Sequence, residues 1–350
     1  MSTRALTPLL LLAPLALLAA CDTESGTLPS GPQPGITAHR VSSDWSPWSE
    51  PVNLGPVVNG DSWDEDPALS PDELSLYFAS SRPGGFGIWV THRDCRRCPW
   101  KTPVKLRLVP DAFEPDLQPV LSPELSPDGH LLFFGWCAQC SQFPDDNLDL
   151  YVAKRADTHD DFGWGPPEPV GAKVNTAARE MDPAYLDAGI GGPYLYFARE
   201  FTPLGYDFDI FAVPITRAGK ARGPAVLVAE LRPPDWAPGQ VAARNPTLRA
   251  DGKEMIFYSQ GRVDDIGGAG GPGGLRVSTR NSIRDPWSTP LNLGVPPNWE
   301  LGGDFEPALS HDGRTLIFAS QRPGGQGSND LWMSTRTRVG DEHGQDRDER

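Results

Sequence analysis

The sequence predicts an all-β fold, a single β-propeller of four-stranded antiparallel blades, and three observations predict it. The stretch DEDPALSPDELSLYFASSRPGGFGIWVTHR, Asp64 to Arg93, returns 240 residues later as DFEPALSHDGRTLIFASQRPGGQGSNDLWMSTR, Asp304 to Arg336. Self-similarity at long period marks solenoids and propellers. A proline-led element, P-x-L-S-P-D-G or a decayed form of it, recurs with its leading prolines at Pro67, Pro123, Pro183, Pro246 and Pro307, at intervals of 56, 60, 63 and 61 residues. Finally, 37 glycines and 38 prolines among 350 residues suit short strands joined by tight turns and argue against long helices.

Every unit is read in the same order. A first strand carries the leading proline and ends in an SPDG-type turn, at Ser70 to Glu73, Ser126 to Gly129, Arg249 to Gly252 and Ser310 to Gly313. There Asp bonds its own backbone and Gly takes positive φ. The third unit has a longer Gly-rich turn instead, Asp187 to Pro193. The second strands follow as LYFAS from Leu76, LLFFG from Leu131, LYFAR from Leu195, MIFYS from Met255 and LIFAS from Leu316, apolar and aromatic enough to be central. After a loop comes a third strand such as Asp149 to Val152, Asp209 to Ala212 or Asp330 to Met333.

The fourth element has the signature W-x-x-P followed by apolar residues, at Trp48 to Gly55, Trp100 to Leu106, Trp164 to Gly171 and Trp287 to Gly294, degraded to Gly223 to Val228 in the third unit. One such element precedes the first unit, and the last unit stops after its third strand. Pairing the N-terminal strand with the last blade satisfies both broken ends and protects the strand edges. Five units are counted and no spare segment of about 60 residues remains for another; six blades is the alternative.

The combination P-x-L-S-P-D-G, L-Y-F-x-S-x-R-P-G-G, D-L-W and W-x-x-P-x-N-L-G resembles the WD40-like repeats of TolB-like periplasmic propellers, over residues 45–337. The resemblance implies a periplasmic interaction role. It departs from the pattern in the third unit, which lacks SPDG, and in the fourth, where Gly-rich DDIGGAGGPGGLRV replaces the approach to the third strand.

The chain ends read as targeting and tether. Residues 1–20 combine Arg4, an apolar run from Leu9 to Ala20 and small residues before Cys21, a secretory signal too short to span a membrane. Leu18 to Cys21 resembles the lipobox of bacterial lipoproteins, which implies acylation of Cys21. Residues 21–44 then form a flexible tether and 338–350 a charged tail without a core. Such a protein sits at the bacterial cell envelope, on the periplasmic or outer-membrane face, touching the membrane through its lipid alone. The formal charge of -15 argues against a nucleic-acid partner.

The residues just before the leading prolines, Asp66, Ser122, Asp182, Asn245 and Glu306, recur at one height around the predicted channel. Polar groups there bond neighbouring backbone and hold blade to blade. The same set also suits a hard cation such as Ca²⁺, or the acid and base of a glycosidase, whose carboxyls stand roughly 5 to 9.5 Å apart. Asp64, Glu65, Glu180 and Asp304 deepen the negative patch. No dedicated metal site or other cofactor is expected, since H-E-x-x-H, G-x-S-x-G and phosphate-loop motifs are absent.

Loops between second and third strands share one face and carry the aromatics Phe86, Trp136, Phe143, Phe201 and Tyr206. Cys95-x-x-Cys98 and Cys137-x-x-Cys140 fall on opposite faces, roughly 17 to 20 Å apart for strands of this length, which disfavours one shared zinc. Two local disulfides are expected in an exported protein. Together these readings give a non-enzymatic lipoprotein that binds an envelope protein or cell-wall polymer through one loop face. The alternative is a five-bladed glycoside hydrolase or carbohydrate-binding propeller using Asp66, Asp182 and Glu306.

Overall fold

The computed structural model describes residues 44–109, 120–138, 148–189, 191–200, 207–232, 243–260 and 273–340. The signal, Cys21, Cys140, Phe143, Phe201 and Tyr206 lie outside them. The chain enters through β1 (Val52–Asn53). The first blade is β2 (Asp64–Leu69), β3 (Ser75–Ser80), β4 (Gly87–His92) and β5 (Val104–Lys105). The second is β6 (Val120–Leu125), β7 (Leu131–Trp136), β8 (Asp149–Lys154) and β9 (Glu168–Pro169). The third is β10 (Glu180–Leu186), β11 (Tyr194–Glu200), β12 (Phe208–Pro214) and β13 (Val226–Leu227). The fourth is β14 (Arg244–Leu248), β15 (Glu254–Ser259), β16 (Gly274–Thr279) and β17 (Leu291–Asn292). The fifth is β18 (Asp304–Leu309), β19 (Thr315–Ser320) and β20 (Asp330–Thr335), completed by β1.

The ring therefore closes as expected, with Val52 opposite Met333 and Asn53 opposite Trp332. Five blades stand, and the six-bladed alternative falls. The outer strands are shorter than the W-x-x-P signature suggested, two residues each. Pro51, Pro103, Pro167 and Pro290 immediately precede four of them, and proline has no N–H to extend the ladder.

The core lies between blades. Residues alternate faces along a strand, so Phe78 of β3 packs back toward Leu331 of the fifth blade while Tyr77 packs forward against Leu132 and Phe134 of the second. Both faces of each central strand are thus covered, which explains their near-continuous apolar runs.

Two repeated polar clamps fix the blades. Arg93, Arg155, Arg280 and Arg336, each following a third strand, donate Nε–H to the carbonyl of turn residue Glu73, Gly129, Gly252 or Gly313 at 2.7 to 2.8 Å. Each guanidinium also lies over a tryptophan of the W-x-x-P element, 4.1 to 4.5 Å from the ring of Trp100, Trp164, Trp287 or Trp48. The third blade has Ile215 directly after its third strand and no tryptophan in Ala221 to Val228, so it lacks the clamp. At the opposite blade end, the R-P-G-G arginines and Arg199 reach fully buried carboxylates: Arg82–Asp64 at 2.5 Å, Arg199–Glu180 at 2.8 Å and Arg322–Asp304 at 2.6 Å. Asp64, Glu180 and Asp304 are therefore neutralised in ion pairs and form no open negative patch.

The arginine–tryptophan clamp combines a hydrogen bond from a charged donor with cation–π contact, each contributing on the order of 1 kcal/mol or more. Arg280→Ala is expected to lower stability by about 1 to 3 kcal/mol in urea unfolding, with Arg280→Lys recovering little because ammonium cannot reproduce the planar fork. A loss under about 0.5 kcal/mol, the scatter of ordinary surface changes, would show that the clamp is not stabilising.

Candidate functional site

All five pre-proline residues have left-handed backbone, with φ of 49° at Asp66, 52° at Ser122, 53° at Asp182, 51° at Asn245 and 53° at Glu306. At each, the pairing register slips between the first and second strands, as between Glu65 and Ala68. The extra residue makes a β-bulge, and the following proline donates nothing to the ladder it interrupts. The bulge turns each side chain onto the ring axis.

There the side chains link blade to blade. Glu306 accepts the Asp66 N–H at 2.9 Å, Asp66 accepts the Ser122 N–H at 3.0 Å, and Asp182 accepts the Asn245 N–H at 3.2 Å. Ser122 Oγ lies 3.1 Å from Asp66 Oδ2 and 3.0 Å from Asp182 Oδ1. A hydroxyl has one proton to give, so one of these two contacts requires a proton on a carboxyl.

Arg244 is the cation of the cluster. Its Nε–H donates to Asn245 Oδ1 at 2.7 Å, its Nη2 stands 3.2 Å from Glu306 Oε1, and Nε lies 3.6 Å from Asp182 Oδ2. Glu65 joins through its hydrogen bonds to Glu306 and Asn329. Four carboxyls thus face one guanidinium, and burial raises all four. Burial, then the charges of Asp182 and Glu65, push Asp66 up to about 8 from 3.8. Burial followed by Asp66 and Glu65 holds Glu306 well above 4.5. Asp182 and Glu65 are also raised by burial, with Arg244 pulling each back.

A cavity of about 30 Å³ adjoins the ring, lined by these five residues and by Glu124. It has room for a water molecule and none for a sugar ring. Glu124 also borders a second channel cavity of about 60 Å³ toward the opposite mouth. The Tyr185 N–H donates to Glu124 at 3.0 Å, and burial pushes this carboxyl up to about 8. Sequence reasoning missed Glu124, Glu65's part in the cluster and Arg244, although the first two flank the aligned pre-proline positions and the third directly precedes one. Among the described residues no group of His, Cys, Asp and Glu is arranged to hold a metal. The positive charge that a Ca²⁺ ion would bring is supplied by Arg244.

The other candidates lie away from this mouth. Cys95 and Cys98 form a disulfide. Cys137 is disulfide-bonded too, and its expected partner Cys140 is outside the described residues. Trp136 is 7% exposed in the interblade core and Phe86 packs beside Ala79 and Phe208, so neither offers a free ring to a partner.

No family model and no curated protein matches the sequence. Solved structures do. An α-L-arabinofuranosidase from Lactobacillus brevis superposes with a TM-score of 0.56 at 14% identity, over 81% of this chain and 92% of that one. A Bacillus subtilis arabinanase gives 0.54 at 14% identity, over 84% and 99%. A putative TolB from Agrobacterium tumefaciens gives 0.45 at 13% identity, over 85% and 98%, too low a score to carry an argument. At such identities the likeness establishes the fold. It also corrects the expectation of a non-enzymatic, partner-binding TolB-like protein, because the neighbours named above 0.5 are glycoside hydrolases. The motifs behind that expectation are the clamps described above, and they report scaffold rather than function.

Glu124 makes a prediction about pH. Its raised value means the folded state favours the protonated form, so its contribution is complete below 4.5 and lost as pH rises through about 8. Glu124→Gln, a neutral isostere, is expected to flatten the decline in thermal stability between pH 5 and 8 and to be more stable than the parent at pH 8 by about 1 kcal/mol or more. Parallel pH curves for the two proteins would rule Glu124 out as the titrating group.

Proposed function

We propose that this propeller cleaves glycosidic bonds at its channel mouth, with Asp66 as proton donor and Asp182 as its partner carboxylate. The observation that carries the reading is the bridge Asp66–Ser122–Asp182. Its two short legs hold the carboxylate oxygens at most about 6 Å apart, compatible with the separation of glycosidase carboxyl pairs. The pair is also differentiated. Asp66 is half-buried, reaches the mouth and keeps its proton at neutral pH, whereas Asp182 is buried beside Arg244, which favours its anion. Two titratable groups whose environments push them apart are the usual assignment of acid and base.

In this reading Asp66 protonates the leaving glycosidic oxygen, and Asp182 faces the positive charge that grows on the anomeric carbon left behind and takes the proton of the water that attacks it. Arg244 and Ser122 orient the two carboxyls. The water that completes hydrolysis has space in the small cavity next to the ring. The solved neighbours are named as arabinanases and arabinofuranosidases, so arabinan and aryl arabinofuranosides are the first substrates to try.

The purified protein is expected to release reducing sugar from linear arabinan or an aryl α-L-arabinofuranoside, and Asp66→Asn to reduce the rate by about 10² to 10⁴. Because the donor must be protonated, activity should fall as pH rises through about 8, the value of Asp66. Wild-type protein inert on both substrates and on xylan, or an Asp66→Asn variant with full activity, would overturn the proposal.

A further inference from the structure

Every tryptophan among the described residues is buried or partly covered except Trp63, which is 47% exposed. A large indole left in water on a rigid support is unusual, since its burial ordinarily contributes strongly to folding. Trp63 immediately precedes β2, three residues before Asp66, at the strand end where the mouth of the channel opens. Two more exposed apolar side chains occupy the connectors on either side of the fifth blade, Val57 at 49% before β2 and Leu301 at 67% before β18.

The support is rigid. Trp63 N–H donates to Ser81 Oγ at 3.1 Å, Ser81 N–H returns a bond to the Trp63 carbonyl at 3.1 Å, and Asp64 N–H reaches the Asn329 carbonyl at 3.0 Å. Trp63 also bridges to Asn329 of the closing blade. Beneath it the chain passes so close that a Cβ on Gly327 would collide with the carbonyls of Ser62 and Gly60. The indole is consequently presented in place rather than on a floppy tip, which reduces the entropy lost when something stacks on it.

From this arrangement we infer that Trp63 is the stacking platform of a subsite for a neutral oligosaccharide that runs from the mouth across the seam between the fifth and first blades. The inference rests on the glycosidase reading for what lies at the mouth, but the platform itself is a binding site. Sugar rings present an apolar face to an indole and hydroxyls at their edges. The exposed carboxylates Asp61 and Glu300 on the same two connectors are suited to accept from such hydroxyls. The occupant is neutral because the chain carries a formal charge of -15 and the mouth is rich in carboxyls, which repel uronates and phosphorylated sugars.

The test is titration calorimetry with arabinotetraose, cellotetraose and galacturonate tetramer on the wild type, Trp63→Ala and Trp63→Phe, with melting curves to confirm folding and hydrolysis followed in parallel. One of the neutral tetramers is expected to bind and the acidic one to fail. Trp63→Ala should weaken binding by about tenfold or more at unchanged melting temperature, the loss of roughly one stacking contact, while Trp63→Phe retains most of it. Trp63-dependent binding without turnover supports the platform and sinks the hydrolase. Turnover with binding that is indifferent to Trp63→Ala, or no binding of either neutral tetramer, overturns the platform.

Discussion

Five non-glycine residues held at positive φ, each just before a proline, set the geometry on which the ring depends. Left-handed backbone costs an L-residue on the order of 1 to 2 kcal/mol, and here that cost recurs at Asp66, Ser122, Asp182, Asn245 and Glu306. Such a conformation persists only where its surroundings over-determine it. They do so here in two ways. The proline ends the ladder on one side, and the bulge lets Asp66, Asp182 and Glu306 each accept a backbone N–H from the next blade. A regular strand would have sent these side chains into an interblade core instead. The axis of the propeller is therefore polar because the bulges make it so.

The consequence is electrostatic. Glu65, Asp66, Asp182 and Glu306 converge in a low-dielectric space whose shared guanidinium is that of Arg244, with Arg179 acting more weakly on Asp182 alone. Carboxylates so placed cannot all ionise at neutral pH, and protons have to be shared among them. Elsewhere the chain takes the opposite course: Asp64, Glu180 and Asp304, only one or two residues earlier on their strands, are each matched to an arginine of their own. The contrast separates two kinds of buried acid. A buried acid with a dedicated partner is scaffold, and a cluster short of cations is poised to exchange a proton.

Much of the ring was legible in the sequence because its determinants repeat. The leading prolines gave the blade count, and the unmatched Trp48 element gave the closure now seen as Val52 opposite Met333. The aligned height of the five pre-proline residues was legible for the same reason. Their backbone was not, since Asp, Ser and Glu before proline ordinarily read as extended, and only pairing across the sheet reveals the extra residue. Arginines ending the third strands, Arg93, Arg155, Arg280 and Arg336, precede or join the tryptophans in a regular way, so a reading of both motifs together was available. In the fifth blade the partners are Arg336 and Trp48, at opposite ends of the chain, where no local pattern connects them.

Function was misread for a related reason. The motifs that repeat most faithfully are those every blade needs, and a likeness founded on them speaks of the clamp, the turn and the ion pair. Arg244, Glu65 and Glu124 belong to no repeat. They fall beside the aligned positions in single blades, so no repeated pattern marks them. Asp66 shows why scaffold and site are nevertheless hard to separate. The same carboxyl that accepts the Ser122 N–H and so joins two blades also lines the channel, largely buried and with its proton retained. With its proton retained, Asp66 still offers an oxygen to the Ser122 N–H, so the interblade bond does not need the ionised form.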